Sequence, residues 1–185
     1  MTAFDPRLYV EPLAKLWSDP RLPELGPGVP NQNIKTLLSS LSVVKLFVGC
    51  TDQEAAAGCV SGTWLLHDFL DESHTISQDL PGWIGSYWHA IMHRREPDAS
   101  NAKYWFRRVP ENPVFEQLRA KLGRKWDPFA FVDQCEDVRG KETPAELAVR
   151  ETQLLEMRCL FDWCYRQATV DRPGHKAAIH KGAIQ

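Results

Sequence analysis

Three times in the second half of the chain, a residue that caps helices stands immediately before a proline: Asn112-Pro113, Asp127-Pro128 and Thr143-Pro144. Asn, Asp and Thr side chains accept hydrogen bonds from the free N–H groups of a helix's first turn. Proline is tolerated there because its missing N–H has no intrahelical partner to lose. Gly123 and Gly140 then stop the first two segments, since helices commonly end where a residue can take a left-handed conformation. This punctuation predicts successive helices joined by short loops. The last is the clearest: Thr143 and Glu146 have capping-box spacing, and Leu147, Leu154, Met157, Phe161 and Cys164 make one apolar stripe to about Ala168.

Similar signals run upstream. Thr51 followed by Glu54 and an alanine-rich run predicts a helix from Asp52 to about Asp71. Pro81 and Gly82 separate it from a second, about Ile84 to Arg95, which Pro97 closes. Asp98 caps a third, about Ala99 to Val109. From Asn31, the positions of Ile34, Leu37, Leu38 and Leu41 favour a helix before the β-branched Val43 and Val44. Residues 1–30 hold six of the thirteen prolines and predict an irregular lead that packs over the domain, with one turn near Leu13 to Trp17. The tail from Asp171 to Gln185 lacks an apolar period and predicts flexibility. The expected fold is all-α, with six or seven helices in a single compact, bundle-like domain over 1–170.

Composition narrows the function classes. In 185 residues, 22 Lys and Arg face 24 Asp and Glu, a net charge of -2, which gives no global argument for nucleic acid or an anionic membrane. The five cysteines, Cys50, Cys59, Cys135, Cys159 and Cys164, are odd in number and lack the two-residue spacing of zinc knuckles. They read as reduced thiols, mostly in the core. The segment MTAFDPRLYVEPL has no basic stretch before an apolar one, and the longest apolar run, Leu41 to Cys50, is broken by Lys45. That run is about half the ~20 residues that span a bilayer. The expectation is a cytoplasmic protein with no membrane segment.

Four of the six histidines, His67, His74, His89 and His93, fall within 27 residues with acidic neighbours. On a helix, positions i, i+4 and i+7 lie within about 60° of arc. His67, Asp71 and His74 have that spacing, and so do His89, His93 and Glu96. Two adjacent helices presenting such triplets would supply the ligands of zinc, iron or manganese, with His67, His74, His89, His93 and Glu96 as the candidate set. A metal-free alternative has Asp71 orienting His67 or His74 as a general base. His67 and Asp71 continue the stripe of Ala56, Val60 and Thr63 and so point inward. His89 and His93 lie opposite Ile84, Tyr87, Trp88 and Ile91, facing solvent or a second packing surface.

A basic and aromatic constellation follows. Arg94, Arg95, Lys103, Arg107 and Arg108 are interleaved with Tyr87, Trp88, Tyr104, Trp105 and Phe106, a mixture that binds phosphates and stacks bases. Arg94, Arg95, Lys103 and Arg107 are the candidate contacts for an anionic substrate. Ala102, Trp105, Phe106 and Val109 form a core stripe on the same helix.

The segments LDESHTISQ (70–78) and GSYWHAIMHRREPDASNAKYWFRR (85–108) resemble a group of uncharacterised bacterial and fungal proteins, a resemblance that implies no role for any residue. The second segment is also similar to one tetratricopeptide or Sel1-like helical hairpin, through Ala90, Ala102, Phe106 and Pro113; this implies hairpin geometry but not peptide binding. Three functions use the same residues. The first is a histidine-cluster site, metal-binding and enzymatic, with an anionic small-molecule substrate. The second is a non-catalytic helical module that docks a protein partner. The third is phosphate or nucleotide binding by the arginine and aromatic hairpin.

Overall fold

The computed structural model describes residues 4–169 and shows ten α-helices, with no strand among the described residues. In chain order they are α1 (Leu13–Trp17), α2 (Lys35–Ser39), α3 (Val43–Leu46), α4 (Gln53–Leu66), α5 (Leu70–Gln78), α6 (Trp83–Arg95), α7 (Ala99–Phe106), α8 (Pro113–Leu122), α9 (Pro128–Val138) and α10 (Pro144–Thr169). The all-α reading holds, but the helices outnumber the expected six or seven. Residues 32–46 break into a 3-10 turn, α2 and α3 instead of one helix, and the helix expected over Asp52 to Asp71 is two. The tail from Asp171 to Gln185 lies outside the described residues.

The cap-proline starts work as their chemistry dictates. Asn112 accepts from the N–H groups of Val114 and Phe115, and Asp127 from those of Phe129 and Ala130. Thr143 accepts from Glu146 N–H at 3.3 Å, but the Glu146 carboxylate turns to the N–H groups of Gly140 and Glu142, ordering the preceding loop. Leu147 is exposed; the buried face of α10 starts at Val149 and runs through Gln153, Met157, Leu160, Phe161 and Cys164. The cap of α4 is Asp52, which accepts from Ala55 N–H. Glu54 instead reaches the start of α6, accepting from Gly85 N–H at 3.1 Å, where a helix N-terminus favours negative charge.

α6 is the axis of the molecule. Every residue from Ile84 to Arg95 is buried, and α4, α5 and α7 pack around it. α10 closes the other side of α4 and also packs on α8 and α9. The lead is anchored by Leu13, Leu16 and Trp17, whose indole donates to Thr63 Oγ1 at 2.9 Å and lies 4.1 Å from the Phe161 ring. The α4–α6 contact depends on Gly62, where a Cβ would stand 2.4 Å from Trp88 Cη2 and Cζ2. Gly62→Ala is therefore expected to destabilise by about 1–3 kcal/mol, the usual cost of overpacking a core. Urea unfolding measures it, and a midpoint equal to wild type would show that Trp88 yields freely.

The break between α4 and α5 decides where the histidines go. Asp68 N–H bonds Leu65 O at 3.2 Å and Phe69 N–H bonds Trp64 O at 3.1 Å, the two bonds of a Schellman C-cap. Asp68 takes the left-handed position at φ 65°, where glycine is usual but aspartate is tolerated. Its carboxylate is held by ion pairs with Arg21 and Arg95. At Gly28, φ is +69° and a Cβ would come within 2.7 Å of that carboxylate, so only glycine lets the lead pass so close.

Candidate metal centre

Four residues, 79–82, join α5 to α6, short enough to fold the two helices back against each other. His74 on α5 then meets His89 and His93, one turn apart on α6. The ring centroids are 4.5 Å apart for His74 and His89, 4.6 Å for His89 and His93, and 5.5 Å for His74 and His93. One ligand nitrogen from each lies within 4.8 Å of the other two. His89 and His93 are 2% and 6% exposed, and Trp105 of α7 covers His89 at 4.2 Å between centroids. The polar side of α6 thus meets a second packing surface, not solvent.

The partners of the two buried rings set their tautomers. Ser77 Oγ donates its single proton to His74 O at 3.2 Å, so at its 3.2 Å contact with His89 Nδ1 the ring nitrogen donates. The lone pair of His89 is then on Nε2. His93 Nδ1 lies 2.9 Å from Glu96 Oε2 and donates to it, again leaving Nε2 as the lone-pair nitrogen. Asn101 Nδ2 lies 3.1 Å from that nitrogen. A ring nitrogen tied to a carboxylate or hydroxyl is how metal-ligating histidines are oriented, and on His93 the Asn101 amide is the group a metal at Nε2 would displace. Burial first, then the neighbouring His93 and His74, push the His89 pKa down to about 3. Burial lowers that of His93 against the opposing pull of Glu96. Both rings are therefore neutral at pH 7, the form that binds metal.

The other candidates lie elsewhere. His67 is the C-cap of α4, on the far side of the Schellman turn from α5. Its Nε2 donates to Leu16 O at 3.1 Å and its Nδ1 accepts from Arg21 Nη1 at 3.2 Å. Both nitrogens are spent on the fold, so His67 joins neither a metal set nor an acid-base pair; burial and Arg21 lower its pKa to about 4. Asp71, in the first turn of α5, is exposed, and no hydrogen bond among the described residues links its carboxylate to His67 or His74. The i, i+4, i+7 geometry of His67, Asp71 and His74 fails because no single helix contains them. Glu96 orients His93 from outside the cluster instead of joining it.

Arg94 and Arg95, expected to hold an anion, are fully buried. Arg94 pairs with Glu156 on α10 at 2.6 Å and stacks 4.6 Å over Phe131. Arg95 pairs with Asp68 and donates to Leu65 O at 2.6 Å and Gly26 O at 3.2 Å. Because α6 is enclosed on every side, the residues after His93 face core and not solute. Lys103 pairs with Asp133. Arg107 and Arg108 stay exposed, stacked against Tyr104 at 5.9 and 4.9 Å. Ser77, Asn101 and Trp105, which complete the surroundings of the histidines, were not among the sequence candidates for the site. Ser77 sits three residues beyond His74, a same-face spacing on α5.

Beside Glu96 opens a cleft of about 400 Å3 whose charged lining is Lys35, Asp68, Asp71, Glu72 and Glu96, and none of the three histidines lines it. No helix among the described residues is long and apolar enough to cross a membrane. Cys59, Cys135, Cys159 and Cys164 are buried free thiols, and Cys50 is a half-buried one. Compared with protein families, characterised proteins and solved structures, the chain finds no match.

Proposed function

We propose that this protein binds a divalent transition metal, zinc foremost, through Nε2 of His89 and His93 and a ring nitrogen of His74. The observation that carries this reading is the convergence of three ligand nitrogens within 4.8 Å of one another, on rings of which two have Nδ1 engaged by Ser77 and Glu96. Zinc takes imidazole nitrogens at about 2.0–2.1 Å, so the cluster has to tighten, and half-exposed His74 is the ring with room to move.

Three protein ligands leave the fourth position of a tetrahedral site to water, the pattern of catalytic rather than closed structural zinc. A metal there would lower the pKa of that water towards 7 and supply a hydroxide nucleophile, so metal-assisted hydrolysis is the reaction class that fits.

Titration of chelator-stripped protein with zinc is expected to show one equivalent bound and a melting temperature raised by several degrees at saturating metal. His74→Ala should abolish both effects while leaving the metal-free melting temperature close to wild type. Glu96→Gln should weaken binding by about 10–100-fold, the usual effect of removing an orienting partner. Wild-type protein that takes up neither zinc, iron nor manganese would overturn the proposal.

A further inference from the structure

A small cleft between α8 and α10, with Phe4 of the lead at its edge, holds a cation with no counter-ion. Arg158 would ordinarily pair with Asp162, four residues on. Asp162 is already engaged, accepting from Tyr9 Oη at 3.1 Å and pairing with Arg166 Nε at 2.8 Å. Arg158 Nε is buried with no hydrogen-bond partner, its guanidinium lies 5.1 Å over the Phe4 ring, and no carboxylate among the described residues pairs with it. Burial lowers the Arg158 pKa with only Tyr9 opposing, as expected of a partly buried guanidinium without a carboxylate partner. Across the cleft, Gln117 and Lys121 stand one turn apart on α8, and Lys121 has no ion pair among the described residues.

We infer that this cleft, lined by Arg158, Lys121, Gln117 and Asp162, is a binding site for a phosphate-sized oxyanion. Arg158 offers the forked donors that match a tetrahedral oxyanion, Lys121 a point charge, and Gln117 an amide N–H. The open volume of about 50 Å3 compares with the ~10–15 Å3 of probe volume that one water needs. It admits a compact ion or the terminal group of a phosphomonoester, and has no room for a nucleobase. The carboxylate of Asp162 adds selectivity. Near neutral pH, phosphate carries a proton to donate to Asp162, whereas sulfate has none and is repelled. The site does not involve the histidine cluster, so it stands or falls apart from the metal reading.

Metal-stripped protein at pH 6.5 and constant ionic strength is titrated calorimetrically with inorganic phosphate, sulfate and glycerol phosphate. Phosphate is expected to bind with one-to-one stoichiometry and sulfate at least tenfold more weakly. Arg158→Gln, on a half-exposed side chain, and Lys121→Gln, on an exposed one, should each weaken phosphate by roughly tenfold, the value of one charge-assisted hydrogen bond. Glycerol phosphate binding more tightly than phosphate assigns the site to phosphomonoesters; the reverse assigns it to the free ion. No phosphate binding, equal binding of sulfate, or affinity unchanged in both variants overturns the inference.

Discussion

Glu156→Gln is expected to destabilise the fold by about 3–5 kcal/mol, the cost of leaving one member of a buried ion pair uncompensated. At roughly 2–4 °C per kcal/mol for a chain of this size, the melting temperature should fall on the order of 10 °C. Glu156 lies on α10 with no solvent exposure. It accepts from Arg94 Nη2 at 2.6 Å and from Tyr87 Oη at 3.1 Å. Burial opposes the charge on Arg94, and Glu156 offsets it, so the guanidinium stays firmly protonated. Two of its nitrogens, Nε and Nη1, have no other partner. Glutamine keeps the shape but removes the neutralising charge; its one amide oxygen can still accept from Arg94, and its NH2 then donates to the Tyr87 hydroxyl, which must turn its proton elsewhere. Arg94→Met combined with Glu156→Gln removes both charges and should recover most of the loss, because well-packed apolar replacements of buried pairs are often neutral or better. A single variant melting within 2 °C of wild type would mean that the pair contributes little. Arg94 directly follows His93, so this ion pair also fixes the rotation of α6 that turns its histidines towards α5.

The helical framework was legible because its ends are written in side chains. Asn112, Asp127 and Gly123 act locally, and local chemistry is what a sequence displays. The turn at His67 to Phe69 was not legible, since neither glycine nor proline marks it and Asp68 is a residue helices accommodate. What holds Asp68 left-handed is Arg21 and Arg95, 47 and 27 residues away in the chain, and no local pattern reports such partners. That turn separated His67 from His74 and misdirected the candidate set. His89 and His93 were identifiable from spacing within one helix, but their meeting with His74 rests on the α5–α6 reversal after that turn. Arg94 and Arg95 were read as contacts for an anionic substrate, but the faces of α6 outside its apolar stripe are covered as well, by polar contacts that hydrophobic periodicity does not register.

Metal-free protein is expected to lose about 4 kcal/mol of stability between pH 7 and pH 5 through His67 and His89. Their folded pKa values, about 4 and about 3, lie below the ordinary value of 6.5. For a group depressed in this way the unfolded chain binds more protons throughout the window between the two pKa values. Stability therefore falls as the pH drops below 6.5, by about 2 kcal/mol per histidine at pH 5. His93, also lowered, acts in the same direction. Most carboxylates remain ionised above pH 5, so the slope in this window belongs to the histidines. The melting temperature should fall by about 8–16 °C, and His89→Gln should remove about half of the dependence whatever its effect at pH 7. A flat profile from pH 7 to pH 5 would show that the rings titrate freely in the folded protein. Zinc adds a second reading of the same chemistry. With His89 and His93 already neutral at pH 7, binding there should release almost no protons from them. The apparent calorimetric enthalpy should then be nearly the same in buffers of different ionisation enthalpy. Release of two or more protons at pH 7 would place the metal on groups other than these two buried rings.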